Sequence, residues 1–217
     1  MDNYIEIRKL AGLLETIDLG DKRGFTSLNL FNEMAVIQTG LLNKLQEGLQ
    51  WLKNNNIHAV VIGGAAVVHY ISGARSLTPD VDFLVQNFLE LTTKLRQEGL
   101  QFTPIVGTRY GGGSIGITVP EFDVDFLNPQ AGNPAINNYI LQTAKSGKIG
   151  GGNFLIASPE ALAISKFDIG RDKDDTDAFL LLQSGVVNRQ EFIKAVKALR
   201  GSLSDYESVK MYAQMIK

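Results

Sequence analysis

The sequence has no cysteine. Disulfides, zinc–thiolate centres and cysteine nucleophiles are therefore excluded. Its two histidines, His58 and His69, are too few for most histidine-based metal sites. Neither sign of charge dominates: 21 Lys and Arg face 23 Asp and Glu, leaving a formal net charge of −2. There is no basic run, which argues against a strong sequence-independent grip on nucleic acid. No apolar stretch approaches the ~20 residues of a membrane span, so no membrane partner is expected. Met1 to Glu6 do not read as a signal peptide, and a cytoplasmic location is the expectation. A chain of 217 residues accommodates one sizeable domain with a helical extension, or two small domains.

What is present has a clear order. Residues 3–16 and 27–53 read as helices, the second with Leu41, Leu42, Leu45, Leu49 and Leu52 at helical spacing. Asn54-Asn55-Asn56 stops it, because Asn tolerates the left-handed conformation such stops use. A buried strand is predicted over 58–62, a helix over 65–72, and strands over 81–85, 102–106, 115–119 and 122–127, with a helix over 88–98. Asn133-Pro134 opens a helix to about residue 145, and a short strand follows at 154–157. Ser158-Pro159-Glu160 opens a helical remainder: 159–169, 173–184, 189–199 and 204–216. The expectation is an α/β (α+β) fold with a mixed β-sheet. Its divisions are a helical N-terminal extension over 1–56, a core over 57–157 and a helical C-terminal tail over 158–217.

The chemistry concentrates in the core. Val60-Val61-Ile62 is a buried-strand pattern that ends in Gly63-Gly64 and leads into a helix. Free backbone N–H groups at such a helix start suit a phosphate, and glycine removes the Cβ that would block its approach. In Thr78-Pro79-Asp80-Val81-Asp82-Phe83, side chains two apart on a strand point the same way. Asp80 and Asp82 then stand roughly 6–7 Å apart at ~3.3 Å rise per residue, a like-charged pair that a divalent cation would neutralise. A further acidic strand carries Asp123 and Asp125 on one face, and either can supply a third carboxylate. Asp125, in its Val-Asp-Phe-Leu context, is favoured.

Gly63-Gly64, a spacer, Asp80-Val81-Asp82-Phe83 and a later strand Asp resemble the nucleotidyltransferase superfamily with the polymerase-beta-like fold. The Arg75…Thr78-Pro79-Asp80-Val81-Asp82 wording is similar to a bacterial branch with abortive-infection toxin and lincosamide-type antibiotic nucleotidyltransferases. So is Ser158 to Lys166 followed by Gly170-Arg171-Asp172-Lys173-Asp174-Asp175-Thr176-Asp177. The resemblance covers about residues 58–185 and implies that Asp80, Asp82 and Asp125 bind Mg²⁺ or Mn²⁺. It further implies that Gly63, Gly64, Arg75 and Thr78 lie at the nucleoside triphosphate, that Lys166 contacts phosphate, and that Asp174 lies near the site. Many members have Gly-Ser where this chain has Gly63-Gly64, and Arg75 stands one residue further from Thr78 than their commonest spacing.

The expected activity is metal-dependent transfer of a nucleoside monophosphate from a triphosphate to an acceptor hydroxyl, with release of pyrophosphate. The acceptor is open between a small molecule, a tRNA and a protein side chain. The alternative is a non-catalytic nucleotide- or partner-binding module of the same fold, for example one half of a toxin–antitoxin pair with an antitoxin-like partner. Plainer readings stand beside these. An Asp-x-Asp strand is often a solvated face. Lys166 is able to snorkel from its helix, and Arg171, Lys173, Asp174 and Asp177 to form ion pairs on an exposed one. His69 and Trp51 read as packed residues, and Gly111 to Gly113 as a loop or a mobile lid with Tyr110 beside it.

Overall fold

A computed structural model of the chain describes residues 46–71, 81–107, 113–149 and 152–216. Contacts divide the chain into Met1–Gly40 and Leu41–Lys217, and all described residues belong to the second unit. The helix expected over 3–16, the start of that over 27–53, the Gly111-Gly112 part of the glycine run and Tyr110 lie outside the described residues.

Helix α1 is described over 46–54 and ends where Asn56 takes φ +54°, the left-handed stop expected of the three asparagines. There follow β1 (Ala59–Ile62), α2 (Gly63–Tyr70), β2 (Val81–Val85), α3 (Phe88–Gln97), β3 (Thr103–Val106), β4 (Ser114–Val119) and β5 (Val124–Leu127). Then come α4 (Pro134–Thr143), β6 (Lys145–Ile149), β7 (Gly152–Ile156), α5 (Pro159–Ile169), α6 (Asp172–Gln183), α7 (Arg189–Ala198) and α8 (Tyr206–Tyr212), closed by a 3₁₀ turn over Ala213–Met215. Strand β6 is not predicted by the sequence, because Lys-Ser-Gly-Lys-Ile lacks an apolar alternation.

Several boundaries follow from single residues. Asn133 accepts a bond from the Ile136 N–H and Ser158 one from the Ala161 N–H, each with proline at the first helical turn. Gly99 and Gly170 end their helices at φ +73° and +60°. Pro104 sits on β3, at the edge of the sheet, where a missing N–H costs no ladder bond.

The seven-stranded sheet runs β3-β4-β5-β2-β1-β7-β6. Its centre is mixed: β2 pairs parallel with β5 and antiparallel with β1, and β1 pairs parallel with β7. One hydrophobic core joins sheet and helices, with Phe83, Phe126, Ile156, Leu162, Ile164 and Leu181 all fully buried. Helix α5 buries nearly all its residues and is apolar around most of its circumference, as suits a central helix. Trp51 packs on Phe122 and donates its indole N–H to Glu98 Oε2 at 2.5 Å. His69 stacks edge-on against Tyr70. Among the described residues no helix is long and apolar enough to cross a membrane.

Candidate active site

The register of the two central parallel strands sets the site. Asp82 on β2 stands directly beside Asp125 on β5, so both carboxylates project from one face, ~4.8 Å apart at the backbone. Asp123, the other candidate, lies in the turn before β5, exposed and at φ +56°, rather than on the strand. Of the two, Asp125 is the one the strand brings next to Asp82. Thr118 on β4 is the cross-strand partner of Asp125, and its hydroxyl donates to Asp125 Oδ1 at 2.7 Å. That bond fixes how the carboxylate is turned.

Gly63 and Gly64 form the first turn of α2 itself, two residues earlier than expected. The cap residue Ile62 offers no side-chain acceptor, so the backbone N–H groups of this turn have no side-chain cap. Gly63 has φ +65°, and a Cβ there would stand 1.9 Å from Asp82 Oδ2. The glycine is required by the carboxylate, a constraint beyond the open approach to phosphate that the sequence suggests.

These residues line one cleft of about 540 Å³. Gly63, Gly64, Asp82 and Asp125 lie at it together with Lys166, Arg171 and Lys173. Asp80, Arg75 and Thr78 lie outside the described residues. Among the described residues, Asp82 and Asp125 form no group of three metal-ligating side chains with another.

The lysine–aspartate block forms a buried ionic knot. Lys166 is 5 % exposed, and its Nζ donates to Asp174 Oδ1 at 2.6 Å and pairs with Asp177 Oδ2 at 2.9 Å. Arg171 Nε bonds the other oxygen of Asp174. Burial pushes the Asp174 carboxyl up, but the hydrogen bonds from Arg171 and Lys166 and their charges outweigh it and hold the group below the usual Asp value. The plainer reading of an exposed helix fails at Asp174 and Asp177, which are buried, while Lys173, just before them, faces solvent at the cleft. Lys173 makes no ion pair among the described residues. Asp168, also at the cleft, is committed to the fold: it accepts from Asn133 Nδ2 and from the Ser204 N–H.

Sequence reasoning passed over Thr118 and gave Lys173 no role at the site. Hairpin arithmetic finds the first, since the Pro120–Asp123 turn places Val119 against Val124 and Thr118 against Asp125. Helical spacing does not find the second, because Lys173 and Asp177 are i,i+4 neighbours; its exposure at the cleft is set by how α6 packs on α5.

Two solved structures are similar to this chain. One is an antigenic nucleotidyltransferase-like protein from Paracoccidioides brasiliensis, at 21% identity and TM-score 0.47, covering 79% of this chain and 92% of that one. The other is the antibiotic-resistance factor ANT(2'')-Ia, at 14% identity and TM-score 0.44, covering 82% and 92%. No curated protein sequence matches this one. Residues 41–214 match the family described as "Nucleotidyl transferase of unknown function (DUF2204)", and the chain belongs to that family.

Proposed function

We propose that the protein transfers a nucleoside monophosphate from a triphosphate to an acceptor hydroxyl, with Mg²⁺ or Mn²⁺ as cofactor. The observation that carries this is the in-register pair Asp82 and Asp125, one strand away from the uncapped helix start at Gly63-Gly64. The pair fits a hard divalent cation: it offers only carboxylate oxygens, and Thr118 already orients one of them. Asp82 and Asp125, with Asp80 as the third carboxylate, would hold it. When bound there, it would supply positive charge to the transferred phosphoryl group.

The remaining parts act through the chain's own groups. The first-turn N–H groups of α2 receive the triphosphate. Lys173 supplies a solvent-facing cation to it, and Arg171, 58 % exposed, adds a second. Lys166 and Asp174 position this edge of the cleft by locking α6 onto α5. Asp125 takes the acceptor's proton; the acceptor oxygen bonds the α-phosphorus as the bond to the β-phosphate oxygen breaks, and pyrophosphate leaves.

The test is triphosphate binding by calorimetry with and without Mg²⁺, followed by pyrophosphate release across an acceptor panel. Binding that requires Mg²⁺, and turnover lowered at least a hundredfold in Asp125→Asn at unchanged melting temperature, are expected. Metal-independent binding, or full turnover in that variant, would overturn the reading.

A further inference from the structure

The cleft is chemically lopsided. The carboxylates on its strands, Asp82 and Asp125, stand on β2 and β5, and the helix start at Gly63 lies on the β1 side of them. Helices α5 and α6, which carry Lys166, Arg171 and Lys173, pack against α2 on that same side. The sheet continues the other way through β4 to β3. There the lining changes character: Leu127, Ile115, Ile105 and Val106 are apolar, and none of the four is fully buried. Gly116 makes the surface low, because Leu127 lies over it and a Cβ would come 2.8 Å from Leu127 Cδ2. Leu127 shares the face of Asp125, two residues on, and Ile105 is paired with Gly116 one strand further out. A continuous apolar shelf thus begins beside Asp125 and runs to the edge of the sheet.

In-line transfer places the attacking hydroxyl and the departing pyrophosphate on opposite sides of the phosphorus. The cations and helix start hold the pyrophosphate end, so the acceptor enters over Asp125, Thr118 and the shelf. Among the described residues the shelf carries no Lys or Arg for a nucleic-acid backbone. Among the described residues the shelf carries no carboxylate for a polyamine either; Asp168, the cleft's other acid, belongs to α5 and is held there by Asn133 and the Ser204 N–H. Its polar margin is Asn128, whose side-chain oxygen accepts the Gln130 N–H and whose amide N–H₂ has no partner among the described residues. From this we infer that the acceptor is a neutral small molecule that presents its hydroxyl beside an apolar face, such as an alkyl or aryl glycoside or alcohol. The inference rests on the nucleotidyl-transfer reading above.

The experiment uses the full chain with ¹³C-methyl-labelled isoleucine. Octyl glucoside below its micellar concentration, neomycin and tRNA serve as probes. Saturable shifts of the Ile105 and Ile115 methyl signals with octyl glucoside, and none with neomycin, are expected. In Ile105→Asp, Mg²⁺-dependent triphosphate affinity should stay within twofold of the parent. Glucoside binding, and kcat/KM for a glycoside acceptor, should fall at least tenfold. Ile105 lies on an edge strand, and a melting curve confirms that the variant is folded; Ile105→Thr, a smaller change, should give an intermediate loss. Neomycin or tRNA serving as acceptor at least as well as the glucoside overturns the inference. So does a drop in triphosphate affinity in Ile105→Asp, which would assign the shelf to the nucleobase. A parent that binds no triphosphate with Mg²⁺ refutes the transfer reading itself and the inference with it.

Discussion

At Gly63 two demands meet in one residue. Its φ of +65° is left-handed, and the space a Cβ would fill belongs to the Asp82 carboxylate. Gly63→Ala should cost ~1–2 kcal/mol through the backbone alone and should displace Asp82 as well. The expected result is a lower melting temperature together with loss of Mg²⁺-dependent triphosphate binding. A variant that melts and binds like the parent would remove the steric argument. The two lysines at the cleft should separate just as cleanly. Lys166→Ala strands two buried carboxylates, and breaking such a pair costs ~3–5 kcal/mol. Lys173→Ala removes an exposed side chain, so melting should hold while triphosphate affinity drops several-fold. Melting curves and calorimetry on the two variants decide it: unchanged stability in Lys166→Ala would mean the knot is not structural.

The buried Asp174 should give the α5–α6 pair a pH response of its own. Asp174 is fully buried, and its folded pKa is held below the unfolded one by Arg171 and Lys166. A depressed acid contributes stability that is complete above the unfolded value of ~4 and is lost as pH falls through the folded value. Acid titration of the melting temperature should therefore show a decline below about pH 4 that is shallower in Asp174→Asn, measured relative to each protein's own value at pH 7. Equal slopes would exclude Asp174 as a source of the decline. Elements such as these were largely legible in the sequence, because their ends rest on local chemistry: Asn133, Ser158, Asn56, Gly99 and Gly170 each act within a few residues of themselves. Strand β6 was not, because its pairing with β7 and the packing of Ile156 and His69 over Gly147 are tertiary events.

For the whole molecule, the same division explains what was readable of the site. Gly63, Gly64, Asp82 and Asp125 stood out as residue types, yet nothing local says that β2 and β5 pair in parallel with Asp82 beside Asp125. Nor does spacing alone reveal that Lys166 faces two buried carboxylates, because that needs α5 and α6 folded against each other. The helical tail is built into this arrangement. Ala161, Leu162, Ala163 and Ile164 of α5 are at most 2 % exposed and share one core with Val60, Val61 and Ile156 of the sheet. Tyr70, the last residue of α2, donates its hydroxyl to the Ala157 carbonyl at 2.9 Å, tying the end of that helix to the entry of α5. Removing residues 158–217 would expose that sheet face and strip α2 of its packing against α5 and α6. A chain ending at Ala157 should therefore not fold to a native sheet, whereas the intact 41–217 unit should unfold in one cooperative transition. Amide NMR of the truncated chain and urea unfolding of the intact protein, followed by both tryptophan fluorescence and circular dichroism, check the two statements. A dispersed spectrum from the truncated chain, or separate transitions for Trp51 on α1 and for the bulk helix signal, would mean that the tail is an appendage rather than part of the core.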